Sequence, residues 1–202
     1  MNKIYKLISI LFLMSHLMLA NAQDVEKYIT QANSAYASGQ LDVSRTAIQD
    51  ALRELDIKIG NEIIAMLPAT INGMGSVVNQ DNITDASNGM VGLMVNREWH
   101  KDPERLNFSI MGNSPLLSGI NAMLAMPMML GANANQKKIT VEGYKALFEK
   151  RIDENNQVQG YNLMVPVNNS LIQFEYSGTA SENDFMNMVG QVPIKNILNL
   201  VQ

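Results

Sequence analysis

The chain has 202 residues, with 15 basic and 19 acidic side chains for a formal charge of −4, 47 % hydrophobic residues and no cysteine. A mildly acidic balance without any cluster of Lys or Arg excludes the electrostatic footprint of a nucleic-acid binder. Lacking cysteine, it can use neither thiol catalysis nor Cys-ligated metal, yet at this length a core can form without disulfides.

Lys3 and Lys6 lead into an apolar run, Leu7–Met14 and Leu17–Leu19, closed by the small-x-small triplet Ala20-Asn21-Ala22. That order is a secretory signal peptide, with cleavage expected near Ala22 and a mature chain from Gln23. Ser9, Ser15 and His16 interrupt the run, and a permanent anchor needs about 20 consecutive apolar residues, so a chain that does not span a membrane is expected after cleavage. A lipoprotein would need a cysteine at the cleavage point. The expected location is therefore periplasmic or secreted. Removing residues 1–22 leaves thirteen basic against nineteen acidic side chains, twelve methionines and a single histidine, His100.

Residues 23–68 read as a helical hairpin. Val25, Tyr28, Ile29, Ala32 and Tyr36 recur at helical spacing up to Gly39, a helix-ending glycine. Asp42 is the expected N-cap of a second helix. Its apolar positions, Ile48, Leu52, Leu55, Ile59, Ile63 and Met66, alternate in steps of three and four until Pro68. On Ala32, Tyr36, Gly39, Leu41, Ile48, Ala51 and Leu52 the hairpin resembles a single tetratricopeptide unit, with Ser44 where a small alanine is expected. One such unit cannot build the continuous core of a repeat array. The hairpin is thus a packing element or a partner-facing arm, and packing is the preferred reading.

Residues 69–89, rich in Gly, Asn, Ser and Asp, read as a loop or linker. An α+β domain follows over 90–202. Val91, Leu93, Val95 and Trp99 alternate as a strand, and Leu106, Phe108 and Ile110 form a second strand beyond the turn His100-Lys101-Asp102-Pro103. Ser114 is the expected cap of a helix with Pro115 at its first position, running to Pro127 or Gly131. Three strands follow, Ile139–Ile152, Tyr161–Val167 and Leu171–Tyr176, with turns at Asn155-Asn156 and Asn168-Asn169. Ser181 with Asp184 forms a short capping box for a further helix, which Pro193 ends. The predicted order β-β-α-β-β-β-α gives an antiparallel sheet of about five strands, covered by helices on one face.

Leu67-Pro68 at the hairpin's end, the Asn113-Ser114-Pro115-Leu116 helix start and the small C-terminal helix make the chain similar to an uncharacterised group of exported bacterial proteins. Its element order also resembles the exported PsbP-like fold. The resemblance implies an exported α+β protein and brings no activity and no functional residue.

Several residues invite chemical readings. Met123, Met126, Met128 and Met129 fall within seven residues, and soft thioethers in an exported protein can hold Cu(I). Equally, methionine fills irregular apolar interfaces, and this chain uses it freely at Met90, Met94, Met164, Met186 and Met188. His100 stands among Glu98, Asp102 and Glu104, a set that could bind Zn²⁺, but catalytic zinc takes three protein ligands, commonly with several histidines. A charged turn accounts for the same pattern. No G-x-S-x-G elbow and no glycine-rich phosphate loop occurs. Asp153, Asn155 and Gln157 alternate as in a calcium loop, but the required glycine is Val158. Trp99, Tyr144, Phe148, Tyr161, Phe174 and Tyr176 lie along the predicted sheet; core packing accounts for most of them, and a few could line a shallow binding surface if the face opposite the helices is open.

The sequence thus predicts an exported, non-enzymatic binding or interaction module of the bacterial cell envelope, using no cofactor and engaging a protein or envelope component. Periplasmic copper handling through the methionine cluster is the alternative.

Overall fold

A computed structural model describes residues 24–85, 92–126 and 134–201. It has the expected α+β class, with a helical hairpin ahead of an antiparallel sheet. The chain divides into two units, Met1–Lys58 and Ile59–Gln202, and the boundary falls inside one helix.

In the first unit, α1 (residues 24–37) and α2 (Leu41–Met66) meet through small side chains. Ala32, Ala35, Ala47 and Ala51 are buried, which lets the backbones approach closely. Ser44 occupies the expected alanine position because its buried hydroxyl donates to the Ala32 carbonyl at 2.9 Å. Gly39 takes φ +76° at the helix end, where a Cβ would be strained. Asp42 does not cap α2. The helix already begins at Leu41, and Asp42 lies in its first turn, where a carboxylate favours the positive end of the macrodipole.

The second unit is built on a nine-stranded sheet, ordered β1-β2-β4-β5-β9-β8-β7-β6 with β3 paired to β4. The strands are β1 (Thr70–Ile71), β2 (Met74–Ser76), β3 (Asn82–Thr84), β4 (Met94–Lys101), β5 (Glu104–Gly112), β6 (Gln136–Val141), β7 (Tyr144–Ile152), β8 (Val158–Val167) and β9 (Ser170–Ser177). Three helices join them: α3 (Leu117–Ala125), α4 (Glu182–Val189) and α5 (Ile194–Val201).

The surplus over five strands has two sources. Residues 69–89, expected as a loop, supply β1, β2 and β3, which pair with each other or with β4 despite their polar composition. The expected single strand Ile139–Ile152 is two strands, folded back at Glu142-Gly143, where both residues take positive φ as a tight hairpin requires. The Asn156 and Asn168 turns form as expected, each with positive φ. Ser181 and Asp184 form the capping box. Ser114 receives the Leu116 amide instead of capping a helix at Pro115, so α3 starts at Leu117. Val91 and the expected helix end at Pro127 or Gly131 lie outside the described residues.

Helices cover both faces rather than one. On the first face, inward residues of the sheet pack with Ile63, Leu67, Phe185, Met188, Val189, Ile194, Ile197 and Leu198 in the larger core. Leu147 and Leu171 point the other way, since successive strand residues alternate. They meet Leu117, Ile120 and Leu124 of α3 in a smaller core.

Candidate functional site

Apolar side chains that stay in water are the most informative surface feature. Eight of the eleven exposed large apolar residues among those described belong to the hairpin: Ile29, Tyr36, Leu41, Val43, Ile48, Leu52, Leu55 and Met66. Five of them rim a groove of about 320 Å³ between the two helices. Its floor is small (Ala32, Ser44, Ala51), and its walls are Ile29 and Tyr36 from α1 and Ile48, Leu52 and Leu55 from α2. Exposure reaches 71 % at Tyr36, 55 % at Leu52 and 52 % at Ile48. The stripe Ile48, Leu52, Leu55, Ile59, Ile63 is continuous in sequence, yet its two halves differ in fate. Ile63 is fully buried in the core of the second unit, whereas Ile48, Leu52 and Leu55 face solvent. Sequence periodicity identifies such a stripe but not what covers it.

The methionines part company. Met123 packs with Met164 against the α3 core, and Met126 is exposed just past the helix. Met128 and Met129 lie outside the described residues. Two of the three carboxylates around His100 are engaged elsewhere. Glu98 pairs with Arg105 at 3.3 Å, and Glu104 accepts the Tyr176 hydroxyl at 2.5 Å. His100 itself is exposed at the end of β4, opposite Arg105. Among the described residues no three His, Cys, Asp or Glu side chains converge as a metal would require.

Trp99, Phe148, Tyr161, Phe174 and Tyr176 are buried and line no open surface, whereas Tyr144 is half-buried beside the larger core. Phe148, Tyr161, Phe174 and Tyr176 all lie on the face of the larger core; Phe148, Tyr161 and Tyr176 cluster there around Phe185, with the Tyr161 and Phe185 rings 5.3 Å apart. Burial, followed by the Glu104 hydrogen bond, pushes the Tyr176 hydroxyl up to about 12. Burial, followed by the nearby Glu182 and Asp184 carboxylates, raises Tyr161 too.

Sequence reasoning missed a polar row on the opposite sheet face. Glu98, Asn107, Glu175, Asn162, Glu149 and Gln136 stand side by side across six strands. The signal was present as polar residues alternating with core residues, but the row exists only once the strands pair. Much of it is internally satisfied: Arg151 pairs with Glu175 at 3.0 Å, Gln136 donates to Glu149 at 2.9 Å, and Gln173 donates to Asn162 at 3.1 Å. Among the described residues, the apolar walls of the hairpin groove stay exposed.

No family model matches this chain, and no curated protein matches it. Among solved structures it is similar to the extracellular domain of PknH from Mycobacterium tuberculosis, at 8 % sequence identity and a TM-score of 0.33, over 56 % of this chain and 68 % of that one. Among the described residues no helix is long and apolar enough to cross a membrane.

Proposed function

We propose that the chain is exported and acts, without catalysing a reaction, as an interaction module of the bacterial cell envelope whose hairpin groove receives a helix of a protein partner. One observation carries this reading: the concentration of exposed apolar side chains on one small hairpin. Apolar surface left in water forgoes about 25 cal/mol per Å², and contiguous exposed patches mark interaction surfaces. A floor of small residues between walls of Ile, Leu and Tyr suits the apolar face of an amphipathic helix. Export rests on Lys3, Lys6, the apolar run and Ala20-Asn21-Ala22. The copper reading has less support, because Met123 is used in packing α3 to the sheet.

A photo-crosslinking residue placed at Leu52 in living cells tests the proposal. Groove positions are expected to yield a discrete adduct with an envelope protein or another copy, whereas Val78, exposed outside the hairpin, yields none. Leu52→Glu, in a chain cross-linked from Ile29, should weaken capture by about tenfold or more, the usual effect of removing one well-packed apolar anchor. A folded protein giving no adduct from any groove position would remove the reading.

A further inference from the structure

We propose a second binding site, independent of the hairpin groove: a cavity on the α3 side of the sheet that takes the C-terminal residue of a short peptide, a carboxylate with an amide N–H and a small apolar side chain beside it. The cavity holds about 320 Å³, at the lower end of the range of about 300–1,000 Å³ for small-molecule sites. Asn121, Leu124 and Ala125 of α3 line one side; Gly143 and Lys145 of the β6–β7 hairpin and Pro166 of β8 line the other. Proline accounts for the opening. The ladder between β7 and β8 stops at Leu147↔Met164, and the same register would next set Lys145 opposite Pro166. Val141↔Tyr144 and Val167↔Ser170 close their two-residue hairpins, so the neighbouring Lys145 and Pro166 turn their backbone groups toward each other. Proline has no amide to donate, which leaves the Lys145 carbonyl without the bond that a ladder would give it.

Charge at the cavity is one-sided. Lys145 is exposed and forms no ion pair with a described residue, and no carboxylate lines the cavity. The Asn121 side-chain amide likewise makes no hydrogen bond to a described residue. Glu142, next along the turn, accepts the Lys195 amide at 3.0 Å instead. The last carbonyls of α3 carry the helix's negative pole and would repel an anion. Lys138 counters them by donating to the Leu124 carbonyl at 3.3 Å. Within a chain of net charge −4, this corner is therefore cationic. A peptide's terminal carboxylate pairs with the Lys145 ammonium, with the Asn121 amide as a second donor. Its N–H meets the carbonyl that Pro166 leaves free, and its side chain rests on Leu124, Ala125 and Pro166. A bare carboxylate would use only the first of these contacts.

Titration of the isotope-labelled chain, purified after export, with N-acetyl-alanyl-alanine tests the assignment through backbone amide chemical shifts. The expected result is a saturable shift at Asn121, Leu124, Gly143 and Lys145. Lys145→Gln should weaken binding about fivefold, and so should capping the probe's carboxylate as an amide, the scale of one lost solvent-exposed ion pair. Lys27→Gln, in the hairpin, should leave binding unchanged. Lys145 is exposed, so its replacement should leave the amide spectrum away from the cavity as it was. Propionate carries the carboxylate without the amide; binding as tight as that of the dipeptide overturns the peptide assignment. No saturable shift at these residues, or one that Lys145→Gln leaves as strong, overturns the site itself. Each of these failures leaves the hairpin reading standing, since that reading is decided by the adduct at Leu52.

Discussion

Arg97 stands on the inward side of β4, between Val95 and Trp99, with only 6 % of its surface exposed. Its guanidinium donates to both carboxylate oxygens of Asp81, at 2.9 and 2.5 Å, and to the carbonyls of Ile64 and Leu67 at 3.0 and 3.2 Å. Those carbonyls end α2, where the helix leaves acceptors unpaired and carries its negative pole. Truncating the arginine strands the Asp81 carboxylate and the Leu67 carbonyl in a low-dielectric site, while the Ile64 carbonyl keeps only the Leu67 amide. Arg97→Ala is therefore expected to cost about 3–5 kcal/mol of unfolding free energy, the range for breaking a buried ion pair from one side. Urea denaturation measures it; a loss below about 1 kcal/mol would mean that the site behaves as a solvated surface pair. The sequence contained a sign of this residue, since a charge interrupts an apolar alternation. It could not contain the partners, which lie 16 to 33 positions away. His100 shows the converse: Glu98 and Glu104 are near it in sequence, but Glu98 turns to Arg105 and Glu104 to Tyr176.

Among the elements, α2 and β3 approach closely at one point. A Cβ on Gly60 would lie 2.5 Å from Cγ2 of Ile83, so only glycine fits at this crossing. Replacing glycine inside a helix by alanine ordinarily stabilises by about 1 kcal/mol. Here the overlap should outweigh that gain, and Gly60→Ala is expected to lose about 1–3 kcal/mol net, as overpacking does. Gly60→Ala combined with Ile83→Ala should be more stable than Ile83→Ala alone, because the overlap is gone and the helix preference remains. Thermal unfolding of the three variants checks this, and a stabilised Gly60→Ala single variant would mean that the approach yields easily. Helices with strong local signals were legible in the sequence: the 3–4 stripe of α2, and the Ser181 capping box of α4. The short strands β1, β2 and β3 were not. Two or three residues carry no measurable alternation, and their pairing depends on β4 and on each other.

At the scale of the whole molecule, the stability of the larger core is tied to the protonation of its tyrosines. The Tyr176 hydroxyl donates to Glu104, receives the Ala180 amide and titrates at about 12 instead of 10. The unfolded chain loses this proton first, so the folded state holds more protons between those values and stability falls as pH rises through them. Unfolding free energy should be insensitive to Tyr176 below about pH 10, and then decline towards pH 12. In Tyr176→Phe the decline should be shallower, with the remainder due to Tyr161, which shifts in the same direction. Denaturant titrations at stepped alkaline pH read both curves, and identical slopes would remove Tyr176 from the account.

The sequence by itself determined the α+β class, the order of hairpin and sheet, most turns and the chemical inventory of one histidine and no cysteine beyond the N-terminal segment. These follow from local preferences: periodicity, capping and the tolerance of Asn and Gly for positive φ. Tertiary structure alone decided which apolar residues are covered. Packing is the preferred sequence reading for the whole α2 stripe, yet Ile63 is buried while Ile48, Leu52 and Leu55 remain in water. Periodicity assigns residues to a face of a helix, but burial depends on what lies opposite that face, and this is set by chain segments far away in sequence.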